Sequence, residues 1–248
     1  QIQLGHRAIA TLLIPPATAG SREHPAPTCW IWQLTSAQAT PRLHRGDRIS
    51  AAAAFASAQA QALARGAFDA PQTQDLDLGL LLSLPYAPAP ALLLLGAGPD
   101  APPVAQLAAF LGWRVAIYDH RPALLDATRF PPGAALASGA ATALRERFDA
   151  AQFDAVVVMS HQLNADRDYL RVLAATRCRY VGLLGPAPRR EKLLNDLTPK
   201  EVQALRPQLH APVGLDLGGR NPEAIALSIV AGIQAHLHGR RGTEFGRP

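Results

Sequence analysis

Cysteine is nearly absent from this chain: Cys29 and Cys178 are the only two in 248 residues. Far apart in sequence, they offer neither a disulfide framework nor metal-ligand spacing, which fits a reducing, cytoplasmic setting. Lysine is almost missing too, at Lys192 and Lys200 alone, so arginine carries nearly all of a formal net charge of +5. Those arginines are scattered apart from Arg189-Arg190 and Arg240-Arg241. No basic run alternates with aromatics, which argues against a nucleic-acid partner. No apolar run approaches a membrane span, because Pro85, Pro88 and Pro90 break the longest candidate. His210, His236 and His238 have no metal-ligand partner at useful spacing, and no metal site is read from them. The chain begins at Gln1 rather than methionine, which leaves a removed leader open.

What the chain does hold is concentrated between residues 91 and 121. Ala91-Leu-Leu-Leu-Leu95 is a continuous apolar run, as expected of a strand buried on both faces. It ends in Gly96-Ala97-Gly98, with Ala101 where the third small residue of a dinucleotide fingerprint falls. A helix-like segment and a second strand follow, and that strand ends at Asp119, about twenty residues on, where a carboxylate meets a ribose hydroxyl. Gly96 permits a tight turn, Gly98 lets backbone approach a phosphate, and Ala101 lets helix pack close to strand. The same stretch carries an objection. Pro99, Pro102 and Pro103 lack the N–H groups a phosphate needs, and Asp100 brings negative charge. An Asp100 that caps the helix would occupy the donors a phosphate wants.

The composition, 48% hydrophobic and 17% charged, suits a folded globular chain. The pattern predicts an α/β fold: a Rossmann-like parallel sheet with helices on both faces, plus a smaller N-terminal α+β domain. Residues 1–84 form the small domain, 85–90 a proline-rich linker, 91–238 the Rossmann-like domain and 239–248 a disordered tail. In the small domain, Ile9–Ile14 and Cys29–Leu34 read as strands and Ser50–Arg65 as an alanine-rich helix closed by Gly66. Beyond the linker, strands are expected at 91–95, 114–119, 135–137, 155–159 and 180–184. Helices are expected at 103–111, 140–147, 165–175 and 188–196, then after the Thr198-Pro199 and Asn221-Pro222 caps.

In such a sheet, ligands bind beyond the carboxyl ends of the strands. Four ends stand out: Gly96-Ala97-Gly98, Asp119-His120-Arg121, Ser160-His161 and Gly185 to Arg189. Near them in function lies Gly214 to Arg220, whose amides and Arg220 can hold an anion where the last helix begins. Each residue has a plainer reading. Asp119 either meets a ribose hydroxyl or ends its strand and caps the Arg121-Pro122 turn. His161 either lines the crevice or satisfies a loop carbonyl, since no carboxylate or nucleophile adjoins it in sequence. Asp216 either contacts ligand or braces its loop. Arg189 and Arg190 read as solvated charges at a helix start. No nucleophile and base are paired, so no catalytic residue is assigned.

Gly96-Ala-Gly-Pro-Asp-Ala101, Leu111-Gly-Trp-Arg-Val115, Asp119-His-Arg-Pro122, Ser160-His161, Tyr180-Val-Gly-Leu-Leu-Gly185 and the run from His210 to Ala226 resemble the XdhC/CoxI family. These are the xanthine dehydrogenase accessory proteins. The resemblance implies a cytoplasmic chaperone that binds molybdenum cofactor (molybdopterin), protects it during sulfuration and delivers it to a molybdenum hydroxylase apoenzyme. A cysteine desulfurase and a second copy of the chain are further candidate partners. The expected ligand-binding positions are Gly96, Gly98, Ala101, Asp119, His161, Asp216 and Arg220. The N-terminal region resembles the family more faintly, at His6–Leu13 and Gly20-Ser21-Arg22. Where the family carries Ser-Gly-Gly-Cys, this chain has Ser50-Ala51-Ala52-Ala53, and the second glycine-cysteine motif is absent from Leu76–Ser83. A thiol-dependent step is therefore not expected here. Two other readings stay open: an NAD(P)-dependent oxidoreductase, and a protein-docking scaffold that binds no small molecule.

Overall fold

A computed structural model describes residues 89–244 and, before them, strand segments within residues 8–86. The expected helix at Ser50–Arg65, the Gly20-Ser21-Arg22 turn, the Ala51–Ala53 segment and residues 245–248 lie outside the described residues. The chain divides into two compact units, Gln1–Pro88 and Ala89–Pro248.

In the first unit, β1 (Ala8–Ile14), β2 (Cys29–Leu34), β3 (Arg42–His44), β4 (Gln72–Leu76) and β5 (Gly79–Tyr86) form one antiparallel sheet, in the order β3-β2-β1-β5-β4. Strand β5 runs on through Pro85, which pairs with Ile9 of β1. Among the described residues the β4 pairing reaches Ser83. The proline-rich stretch from residue 85 thus begins as strand, in β5 to Tyr86.

The second unit is the parallel sheet. Its strands are β6 (Ala91–Leu95), β7 (Arg114–Asp119), β8 (Ala135–Ser138), β9 (Ala155–Val158), β10 (Val181–Leu183) and β11 (Leu209–His210). Their order is β11-β10-β9-β6-β7-β8, all parallel. Chain order reverses between β6 and β9, which makes the carboxyl ends of those two strands the switch point of the sheet.

The helices are α1 (Ala101–Phe110), α2 (Leu144–Arg147), α3 (Leu163–Ala174), α4 (Ala187–Asn195), α5 (Pro199–Leu205) and α6 (Pro222–Leu237). Alternation along the strands sends side chains to two cores. Leu92, Leu94, Ile117 and Val157 pack with Val104 and Ala108 of α1 and with Ile229 and Ile233 of α6. Leu93, Leu95, Val156 and Val158 pack on the other face with Tyr169, Leu170 and Leu173 of α3. Helices therefore cover both faces, as the uninterrupted apolar runs require. Thr198 and Glu201 form a reciprocal capping box at α5. The short strand β11 carries no apolar run and was not visible as a strand in the sequence.

Candidate functional site

Gly96 sits at φ +133°, and a Cβ there would lie 2.5 Å from backbone atoms of Met159 and Ser160. Only glycine lets the chain leave β6 this close to the end of β9. Within the turn, the Gly96 N–H donates to the Tyr118 carbonyl at 2.8 Å and the Ala101 N–H to the Gly98 carbonyl at 3.2 Å. The Ala97 N–H donates to Asp119 Oδ2 at 2.7 Å. Pro99, Pro102 and Pro103 have no N–H. Gly98 and Asp100 keep the remaining amide donors at the head of α1.

Asp119 is fully buried, at 0% exposure. Its Oδ1 accepts from the Arg121 N–H at 2.8 Å and from Arg121 Nε at 3.0 Å. Its Oδ2 accepts from Ala97 and from Arg121 Nη2 at 2.9 Å. A carboxylate offers about four lone-pair sites, and all are used. Burial by itself would raise this carboxyl's pKa; the Arg121 fork and the Ala97 and Arg121 N–H groups outweigh it and hold the group below the usual range. In this arrangement Asp119 braces the glycine turn, and a ligand reaches its oxygens only by displacing Arg121.

Arg121 Nη2 also donates to the Ser160 carbonyl at 3.2 Å, tying the end of β7 to the end of β9. There a second carboxylate takes over. Asp166, 0% exposed in the first turn of α3, accepts from the Ser160 N–H at 3.1 Å and from its hydroxyl at 2.5 Å. Arg189 Nη2, from α4, donates to the other Asp166 oxygen at 2.7 Å. Gly185 makes that reach available, since a Cβ on it would meet Arg189 Cδ at 2.5 Å. Arg189 is thus a buried-side partner rather than a solvated charge, and Arg190 donates to the Ala211 carbonyl at 2.9 Å. Tyr169 lies fully buried beneath the two pairs, and burial, then the Asp119 charge, pushes its phenol well up, so it stays un-ionised. A continuous polar chain therefore runs from Ala97 through Asp119, Arg121, Ser160 and Asp166 to Arg189.

His161 stands on this base in a left-handed conformation, φ +63°. Its Nε2 lies 2.9 Å from Asp100 Oδ2, and its Cδ2 lies 3.3 Å from where a Gly98 Cβ would be. The carboxylate that the sequence around His161 lacks comes from the opposite loop. Asp100, the N-cap of α1, makes no cap bond. The reason is compositional: a cap accepts from the second or third N–H of a helix, and here those positions are Pro102 and Pro103. Ala101 is fully buried and lets α1 start against the sheet.

The loop from Gly214 to Arg220 is built differently. Its ties run to α6, through Leu215 N–H to the Ser228 carbonyl at 3.1 Å and from the Ser228 hydroxyl back to the Leu215 carbonyl. Gly214, Gly218 and Gly219 all have positive φ. Asp216 and Arg220 are exposed and make no side-chain hydrogen bond or ion pair among the described residues. The structure thus brings Gly96, Gly98, Ala101, Asp119 and His161 into one cluster. No contact joins Asp216 or Arg220 to it among the described residues.

Arg121, Asp166 and Arg189 were not singled out as site residues by the sequence. The Asp119-x-Arg121 spacing was a local signal for the first pair, but only the fold brings Asp166 and Arg189 together. His210 stacks on Tyr180 at 4.0 Å between ring centroids, and His236 of α6 meets His210 at 4.8 Å. Among the described residues no group of three or more His, Cys, Asp or Glu is placed to hold a metal ion. No described helix is long and apolar enough to cross a membrane. Cys178 is buried, and burial with the nearby Asp149 charge pushes its thiol up to about 11.

Comparison with known proteins agrees with this architecture. The chain is 37% identical over 142 residues to a probable xanthine dehydrogenase subunit of Bacillus subtilis (strain 168), covering 57% of this chain and 41% of that protein. It is 34% identical over 147 residues to the protein YqeB of Escherichia coli (strain K12), covering 57% of this chain and 26% of that one. The chain thus spans less than half the length of these curated relatives. In fold it is similar to the crystal structure of a xanthine dehydrogenase from Bacillus halodurans, with a TM-score of 0.67 at 23% identity, over 97% of this chain and 62% of that one. The family model of the XdhC Rossmann domain matches residues 92–233, and the chain belongs to that family.

Proposed function

We propose that this protein is an accessory factor for a molybdenum hydroxylase of the xanthine dehydrogenase type, binding molybdenum cofactor and passing it to the apoenzyme. The observation that carries the reading is the crevice at the ends of β6 and β9, where polar side chains are spent on holding loops rather than arranged for proton transfer. Asp119 is saturated by Arg121 and the Ala97 N–H, Asp166 is held by Ser160 and Arg189, and Tyr169 stays protonated. Such a site suits holding and release better than turnover.

The residues fit the phosphate end of such a cofactor in part. The Gly98 and Asp100 N–H groups and the free edge of the Arg121 guanidinium would hold an anion, with Gly98 allowing close approach. The cofactor's own chemistry, when bound, is that of its molybdenum and dithiolene; the chain's part is to bind, orient and shield. A thiol step is not assigned to it: Cys178 is buried with its pKa raised, and alanines stand at 51–53. A nicotinamide dinucleotide is served less well. Its ribose would find no open lone pair on Asp119, and its pyrophosphate would find two prolines in the first turn of α1.

Mass spectrometry of the native full chain, purified from its own host, should find bound molybdopterin, and the loaded chain should activate a xanthine dehydrogenase-type apoenzyme. Tight NAD or NADP binding with turnover of an alcohol or aldehyde would replace this reading by an oxidoreductase. Retained partner binding without any ligand would replace it by a docking scaffold, a reading favoured by the His161-Asp100 pair lying over the turn.

A further inference from the structure

The glycine turn is covered, and the cover has one fastening. The Cδ2 edge of His161 occupies the space beside Gly98, where the absence of a side chain would otherwise leave the backbone open to a ligand. Among the described residues the ring's one polar partner is Asp100, at 2.9 Å. His161 is 47% exposed and Asp100 15%, so the pair is partly solvated and weak. Everything beneath it is rigid. Ser160 is fixed at its N–H, its carbonyl and its hydroxyl by Asp166 and Arg121. Asp100, denied its helix cap by Pro102 and Pro103, is free to hold the ring.

We infer that His161 and Asp100 form a latch, shut in this structure, that an anionic ligand must open to reach the Gly98 backbone. The inference rests on the reading of this crevice as the ligand site and adds its regulation. Opening loses one half-exposed His161–Asp100 contact and leaves the β7–β9 network intact. The Gly98 N–H is then uncovered, and the imidazole is released at the rim.

Substitution of the ring separates a latch from an attractive contact. A histidine that simply attracts an anion predicts weaker binding when it is removed; a latch predicts tighter binding. Glycine and asparagine both accept a left-handed backbone, so His161→Gly and His161→Asn remove the ring without new strain. Inorganic phosphate would be titrated into the full chain while the amide shifts of Gly96, Ala97 and Gly98 are followed. Both variants should bind about two- to fivefold more tightly than the parent, the scale of losing one partly exposed polar contact. Equal or weaker binding in the variants, with shifts still at the turn, overturns the latch and leaves the site standing. No shift at the turn in any of the three proteins overturns the site and the latch together.

Discussion

Two loops at the carboxyl edge of the same sheet are built on opposite plans. Around the glycine turn, nearly every polar side chain is bonded to another loop: Asp119 to the Ala97 N–H, Arg121 to the Ser160 carbonyl, Asp166 to Arg189, and His161 to Asp100. In the loop from Gly214 to Arg220 the backbone is pinned to α6, while Asp216 and Arg220 are left to solvent. In the first loop side chains serve to hold backbone donors in place, so on the proposed reading a ligand would be met mainly by amides. In the second, backbone holds side chains out, where a partner can read them. The contrast predicts a gradient of mutational cost from one loop to the other.

The steepest cost belongs to Gly96. Gly96→Ala places a methyl group 2.5 Å from the backbone of Met159 and Ser160, at a φ an L-residue resists. Neither strand end can yield, and a loss of about 4 kcal/mol or more follows from strain and overpacking together. Thermal and urea unfolding would show it; a change under about 1 kcal/mol would mean the turn is soft.

Next comes the first carboxylate pair. Asp119→Asn leaves the Arg121 fork without its charge, a loss of about 3 kcal/mol for breaking a buried pair. The pH dependence has a definite sign. The folded Asp119 titrates below its unfolded value, so its stabilisation is present above the unfolded pKa and is lost as pH falls through the folded one. The variant should therefore lose less stability than the parent on acidification below the ordinary carboxylate range. Identical acid-unfolding curves would detach Asp119 from the network. Arg189→Ala, which strands Asp166, should cost about 1–3 kcal/mol.

How much of this was legible beforehand follows the range of the interactions. The parallel sheet announced itself because buried strands such as Ala91–Leu95 and Ala155–Val158 are written as unbroken apolar runs. The helix starts at Thr198-Pro199 and Asn221-Pro222 were local and readable, although only Thr198 makes a side-chain cap bond. The site was legible where it is backbone: Gly96 and Gly98 are where a fingerprint puts them. It was hidden where it is a pairing across loops. Nothing near residue 161 names Asp100 as its partner, and nothing near 189 names Asp166, since chain topology alone makes them neighbours. Strands β3, β4 and β11 are not legible because Arg42–His44, Gln72–Leu76 and Leu209–His210 carry too few apolar residues to show a period, and β5 is hidden because its apolar run ends in the prolines read as a linker.

A smaller effect anchors the base of the second loop. The stack of Tyr180, His210 and His236 holds β11 against the end of α6. Burial, then the neighbouring His236, lowers the pKa of His210. A histidine whose folded pKa is depressed takes up its proton more readily when unfolded, so stability declines as pH drops from the unfolded value, about 6.5, through the folded one. His210→Phe keeps the stacking area and removes the proton. Its unfolding free energy should vary less than the parent's between pH 7 and pH 5, and an unchanged slope would assign the pH response elsewhere.

At the bottom of the gradient stands Arg220. With no side-chain partner among the described residues, Arg220→Ala should leave the unfolding midpoint within about 2 °C of the parent. Its effect should appear only with a partner present. If the exposed loop reads a molybdenum hydroxylase or its cofactor, the variant should lose affinity or delivery rate while its fold is untouched, and Asp216→Ala should behave alike. Neighbouring Leu217, half exposed, supplies the apolar ground on which such a contact gains energy. A variant that is both stable and fully competent in delivery would show the loop to be only the connection between β11 and α6. The task of recognition would then fall on the glycine turn, where amides under a histidine cover would have to select the ligand with almost no free side chains.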